Sequence, residues 1–145
     1  MTLSLQELSD RLEIQDLQTA YSHAIDFRRW SELDDVFTPD AFIDYTVFGG
    51  PKGPYPEVKA FLETTMPMFG SYYHMQATSK VVLNGDSATG VTCCYNPMVL
   101  GDDVFTCGLW YHDKYVRTPQ GWRIAERVEE KTFVKDMPAG LPSGD

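Results

Sequence analysis

The second half of this chain constrains its fold most. From His74 to Val134 it is a succession of long β-branched and aromatic runs broken only by short turn signals. HMQATSKVVL and SATGVTCCYNPMVL flank Asn84-Gly85-Asp86, and an Asn-Gly step supplies the positive φ angles of a tight hairpin. FTCGLWYHDKYVR and WRIAERVEEKTFV flank a second turn, Thr118-Pro119-Gln120-Gly121. Together they predict an antiparallel meander of four long strands.

The first half reads as helices. Residues 5–27 place Ile14, Leu17, Tyr21 and Ala24 on one face at helical spacing, with Ser4 or Thr2 as the cap. Residues 30–37, WSELDDVF, predict a second, short helix capped by Ser31. Thr38-Pro39-Asp40 ends it, because proline disfavours helix in the residue before it. The alternation in AFIDYTVF, 41–48, predicts a strand, and GGPKGPYP, 49–56, a loop. A third helix, from about 56 to 69, turns Val58, Phe61, Leu62 and Met66 inward. Helices followed by antiparallel strands indicate an α+β fold, a curved sheet wrapped around helices. It forms a single domain over residues 1–135, with a tail over 136–145 that has little reason to be ordered unless a neighbour holds it.

Composition narrows the function. The 145 residues are 43% hydrophobic and 13% aromatic, enough for a sizeable core. A net charge of -9 argues against nucleic acid and anionic membranes as partners. The acidic pairs Asp34-Asp35, Asp102-Asp103 and Glu129-Glu130 read as solvated surface. The start, MTLSLQELSD, has no signal-peptide pattern, and no run approaches the roughly 18 apolar residues of a membrane helix, so a cytoplasmic location is expected. Cys93, Cys94 and Cys107 read as reduced, buried thiols. His23, His74 and His112 are far apart and no CxxC pair exists, so neither a metal nor another cofactor is expected.

Four polar residues stand inside segments that otherwise build core: Tyr21, Asp26, His74 and Arg127. A phenol, a carboxylate, an imidazole and a guanidinium are what a proton-transfer site needs if the fold brings them together. Each also has a plainer reading. Asp26 lies about 140° around the helix from Tyr21 at about 100° per residue, which describes an exposed residue at a helix end. His74 alternates with Gln76 and Thr78 and is equally a satisfied structural histidine. Tyr21 and Tyr45 suit a core, Arg127 suits a strand-surface pair with Glu126 or Glu129, and His23 and His112 suit surface or packing roles. Trp30, Phe42, Phe48, Phe69 and Trp110, with Met68 and Phe133, are candidates to line an apolar cavity for a hydrophobic, ring-bearing molecule.

The pieces IQDLQTAYSHAID, FIDYTVF, His74-Met75 and YVRTPQGWRIAER, in that order, resemble the SnoaL-like branch of the cone-shaped α+β barrels. That superfamily includes nuclear transport factor 2 and ketosteroid isomerase. Within it the chain is most similar to scytalone dehydratase, bile-acid 7α-dehydratase and lindane dehydrochlorinase. The resemblance implies that Asp26 and His74 are a carboxylate–histidine pair in hydrogen-bond contact. It implies further that Tyr21, Tyr45 and Arg127 belong to the same site. The second histidine and the asparagine of the scytalone enzyme's pocket have no equivalent; apolar residues and Tyr111 stand there, which argues against scytalone as substrate. The implied activity is a cofactor-independent lyase of the dehydratase kind. An isomerase or cyclase, or a non-catalytic binding or assembly module, would share the scaffold. The resemblance also implies a homotrimer, with a dimer as the alternative, packed through an exposed sheet face carrying Trp110 and Cys93–Tyr95.

Overall fold

Helix α1, Leu5–Asp26, starts at a capping box in which Ser4 and Glu7 satisfy each other's backbone amides. It buries Ile14, Leu17, Tyr21, Ala24 and Ile25, the stripe read from its periodicity. The structure, a computed structural model, describes residues 2–141.

Two expected helices are shorter or tighter than their sequences suggest. Trp30–Asp35 is a 3-10 segment. Helix α2 spans Tyr55–Thr65 and passes into a 3-10 turn at Met66–Met68, where Pro67 lacks the amide that would continue it. Val58, Leu62 and Met66 are buried as expected, whereas Phe61 is 38% exposed.

Strand β1 runs Phe37–Asp44, earlier in the chain than the alternation at 41–48 suggests. The proline does not block it, because the pairing with the last strand is irregular between Phe37 and Phe42. Pro39 therefore stands where no ladder amide is required. The segment after Asp44 leaves the sheet as a 3-10 turn, Thr46–Phe48. A short strand β2, Lys52–Pro54, lies within the Gly/Pro-rich loop.

The meander is present as predicted: β3 Met75–Asn84, β4 Ser87–Leu100, β5 Asp103–Thr118 and β6 Gly121–Lys135, each antiparallel to the next. In the first hairpin the positive φ falls on Gly85 at 62°. The sheet order is β2-β1-β6-β5-β4-β3, with β1 parallel to β6. It is an open, mixed, curved sheet, and bulges bend it at Thr78 in β3 and at two places between β5 and β6. Its concave face takes α1 and α2, and Leu109, Tyr111, Asp113 and Tyr115 of β5 point into that core. Among the described residues no helix is long and apolar enough to cross a membrane.

Candidate active site

The C-terminus of α1 is closed by Arg29 N–H to Ala24 O and Arg28 N–H to Ile25 O at 2.8 and 3.1 Å. This cap needs a left-handed residue, and Arg28 supplies it at φ 57°. A side chain there costs roughly 1–2 kcal/mol, and the Arg28 side chain offsets this by bonding Phe69 O at 2.6 Å. Tyr72 adds a hydrogen bond to Ile25 O at 3.0 Å. The chain entering β3 is thereby lashed to the end of α1, which brings Asp26 and His74 together.

His74 Nδ1 lies 2.7 Å from Asp26 Oδ1. Both carboxylate oxygens also accept from the His74 backbone N–H, at 3.2 and 3.0 Å. Ser22 Oγ donates to His74 O at 2.8 Å, and Gln76 Nε2 donates to Ser22 Oγ and Gln18 O at 2.7 Å each. The imidazole is thus fixed from both sides of its own backbone. A carboxylate at a helix C-terminus faces the unfavourable end of the helix dipole, so its placement is explained by its partner. The wheel position of Asp26 was no obstacle, because the segment at 72–74 crosses the helix end rather than its core face. The other ring nitrogen, Nε2, bonds no described residue.

His74 forms part of the wall of a cavity of about 390 Å³ inside the cone. Phe48, Phe69, Met98, Phe105 and Leu109 make much of the lining apolar, while Tyr21, Tyr45, Asn96, Tyr111 and Glu129 supply polar atoms. Met137 and Leu141, from the expected loose tail, close over it; residues 142–145 of that tail lie outside the described residues. A larger, more polar groove of about 570 Å³ runs between α1 and β3 and reaches Asp26 from behind. Its amides and hydroxyls are largely engaged with one another, so the apolar cavity is the better container for a hydrophobic ring.

The phenols of Tyr21 and Tyr45 meet at 2.8 Å. Burial pushes Tyr21 up to about 12 and Tyr45 well above its usual value, so both are donors at neutral pH. Arg127 is fully buried behind this wall. Its guanidinium is stacked between the rings of Tyr21 and Tyr111, at 4.3 and 3.9 Å, and bonded twice to Asp113 at 2.8 Å. It braces the tyrosines without lining the cavity itself.

The structure separates several other candidates from the site. Phe42 points outward at 42% exposure, since its neighbours Ala41 and Ile43 take the inward face. Trp30 packs against the core near the 3-10 segment, and Trp110 sits on the convex sheet face opposite Cys93. Phe133 shares that outer face, its ring over Gly108, while Met68 does line the cavity.

Glu129 is the residue that sequence reading missed. An acidic pair on a strand reads as solvated, but Glu129 faces inward opposite Tyr111 and lines the cavity, while Glu130 faces out beside His112. Burial pushes its pKa up to about 8, against the pull of Arg127 and with help from Asp44. The available signal was its spacing of two from Arg127, which puts both on one strand face. Asn96, a lone amide in the β4 run, was not singled out. Among the described residues no cluster of three or more His, Cys, Asp or Glu is placed to hold a metal.

Comparison with known proteins agrees with this architecture. A structure from Novosphingobium aromaticivorans, described as a candidate scytalone dehydratase, superposes with a TM-score of 0.82 at 16% identity, over 93% of this chain and 92% of that one. The hexachlorocyclohexane dehydrochlorinase LinA-type3 of Novosphingobium barchaimii gives 0.79 at 20% identity, over 94% and 95%. At these identities the likeness is one of fold. In sequence, "Uncharacterized protein Rv2910c" of Mycobacterium tuberculosis is 52% identical over 138 residues, 93% of this chain and 94% of that protein. The model of the SnoaL-like domain matches residues 6–128. With that span inside one α+β cone of nuclear transport factor 2 type, the chain belongs to the SnoaL-like family.

Proposed function

We propose that this protein is a cofactor-independent lyase that eliminates water from a cyclic, largely apolar molecule. The observation that carries the reading is the 2.7 Å contact between Asp26 and His74 Nδ1, on the wall of an apolar cavity. With Nδ1 committed, Nε2 is the nitrogen left to remove a carbon-bound proton, preferably one acidified by a neighbouring carbonyl. Asp26 fixes the tautomer and stabilises the imidazolium as it forms. One of Tyr45 and Tyr21 donates to negative charge that develops on the substrate while the other donates to it in turn, and Arg127 acts by holding Tyr21 and Tyr111 in place. The imidazolium then supplies the proton that a departing hydroxyl requires.

The test is turnover of cyclic β-hydroxy ketones, followed by loss of water, with wild type, His74→Ala and Asp26→Asn. Isomerisation or cyclisation without water loss would redirect the reading to another proton-transfer reaction. Full activity in His74→Ala would end it.

The assembly reading rests on the convex sheet face. Met75, Tyr95 and Phe133 are 56%, 46% and 43% exposed there, beside Trp110 and Cys93. An apolar patch of this kind marks an interface, and packing around a three-fold axis covers it in a homotrimer. Light scattering at micromolar concentration decides between trimer, dimer and monomer.

A further inference from the structure

Glu129 has no place in the mechanism above, yet it is the one carboxyl group lining the cavity among the described residues. It forms no hydrogen bond and no ion pair with a described residue. A carboxylate there would be desolvated with only the charge of Arg127, already shared with Asp113, to compensate it, whereas a carboxylic acid is a neutral donor awaiting an acceptor. The cavity lining contains no Lys or Arg, and the Arg127 guanidinium behind it gives Nε and Nη2 to Asp113. The lining therefore offers a ligand no fixed cation: its polar groups are phenols, a hydroxyl, a thiol, one carboxyl, one amide and one imidazole.

Glu129 and His74 belong to different walls. Glu129 is on β6 and His74 precedes β3, with β5 and β4 between them in the sheet. The rings of Tyr21 and His74 are 5.9 Å apart, those of Tyr21 and Tyr111 5.7 Å, and Tyr111 is the cross-strand partner of Glu129. A ring-bearing substrate can thus lie along the tyrosine wall with one edge at His74 Nε2 and an oxygen at Glu129.

We propose that Glu129 is the acid of this site, that it protonates the carbonyl oxygen of an uncharged cyclic β-hydroxy ketone, and that anionic substrates are excluded. This rests on the lyase reading and deepens it. In the first step His74 Nε2 takes the α-proton, the C–H pair becomes the enol C=C bond, and the carbonyl oxygen takes the Glu129 proton. In the second step the enol O–H proton returns to the Glu129 carboxylate as the carbonyl reforms. The β-carbon–oxygen bond breaks with its electron pair, and the departing hydroxyl takes the proton from His74 and leaves as water. Both residues end as they began, and no outside reactant is needed. The elevated pKa of Glu129, about 8, keeps the acid form populated at neutral pH.

Most titratable groups around Glu129 are held away from its range, and the remaining one, the imidazole of His74 across the cavity, is separated by His74→Ala. Arg127 and Asp44 flank it on β6 and β1. Tyr21, Tyr45 and Tyr111 are all raised by burial, as are the thiols of Cys94 and Cys107, to about 12 and 11.

The test uses 1-tetralone, a neutral two-ring ketone that does not titrate, as the binding probe. Its Kd for the wild-type protein is expected to rise about tenfold between pH 6 and pH 9. Glu129→Gln, still a donor, is expected to bind it with no pH dependence, and His74→Ala to keep the wild-type dependence. Carboxyl 13C NMR of glutamate-labelled protein, assigned by the signal missing in Glu129→Gln, is expected to give a midpoint near 8. No saturable binding at pH 6, a wild-type Kd flat with pH, or a Glu129 midpoint below 6 overturns the proposal. A pH dependence surviving in Glu129→Gln overturns it as well. None of these readouts needs turnover, so failure of Glu129 as acid is distinguishable from failure of His74 as base.

Discussion

Helix α1 carries an aspartate near each end that holds residues of the second half of the chain, and the two are used in opposite ways. Near the N-terminus, Asp10 is 4% exposed and accepts from Arg117 twice, at 2.8 and 2.9 Å, from Trp122 Nε1 at 3.0 Å and from Gln6 at 2.9 Å. Four donors from the protein converge on that carboxylate, three on Oδ1 and one on Oδ2. At the C-terminus, Asp26 spends its bonds on the amide and one ring nitrogen of His74 and leaves the second nitrogen open. A closed network can only stabilise, whereas a network one bond short can act on a ligand.

The difference extends to protonation. Arg117, with Trp122 and Gln6 adding to it, holds Asp10 far below the usual carboxylate range despite burial. Its pKa is lower folded than unfolded, so its contribution to stability is present above the ordinary value of 3.8 and is lost as pH falls through the folded one. Glu129 is the reverse. Its pKa is higher folded, so its contribution is complete below 4.5 and is lost as pH climbs through about 8. One end of the cone gains stability from its charges; the other gives some up to keep a proton in place.

The largest expected effect separates the ends by activity. His74→Ala should lower turnover about 10²–10⁴-fold with little change in Tm, and Asp26→Asn should lose a comparable factor by favouring the wrong tautomer. Asp10→Ala should leave the turnover of the folded fraction unchanged. Loss of activity in Asp10→Ala at full folding would erase the distinction between the two ends.

Glu129→Gln comes next and has an unusual sign. It should be near neutral at pH 4 and stabilising at pH 9, on the order of 2–4 kcal/mol by denaturant unfolding, because it removes a half-buried acid that must ionise. A stability difference that does not vary with pH would mean that the carboxyl is not held protonated. Asp10→Ala follows, at about 2–3 kcal/mol of destabilisation for the lost charged hydrogen bonds. That loss should shrink below pH 3.8, where the unfolded carboxyl of the wild type is already protonated.

The same contrast explains what the sequence disclosed. The meander was legible because alternation and the Gly85 turn are local signals, and α1 because its apolar stripe is. The pairing of Asp26 with His74 was not visible in either periodicity: the wheel put Asp26 on an exposed flank, and only family resemblance joined them. Phe42 was misassigned because its aromatic bulk outweighed the alternation, which gives the inward face to Ala41 and Ile43. Trp110 was offered both to the cavity and to an outer interface, because aromatic bulk does not say which face of a strand it occupies. Glu129 escaped because charge on a strand implies solvent, and a cavity within the cone is a property of the assembled fold rather than of any segment.

The smallest expected effect tests whether the tyrosine wall belongs to the open end or only supports it. Tyr45→Phe removes one half of the 2.8 Å contact with Tyr21, a loss of about 1 kcal/mol in stability for a neutral hydrogen bond. Tyr21 keeps its ring contact with Arg127 at 4.3 Å, so the wall should stay in place. If Tyr45 also donates to the substrate, turnover should fall by about tenfold or less, since Tyr21 is left as a second donor. The fall should appear in kcat more than in KM, because the interaction strengthens as negative charge develops. Unchanged kcat together with the stability loss would assign Tyr45 to the supporting wall and leave His74, Asp26 and Glu129 as the groups that face the reaction.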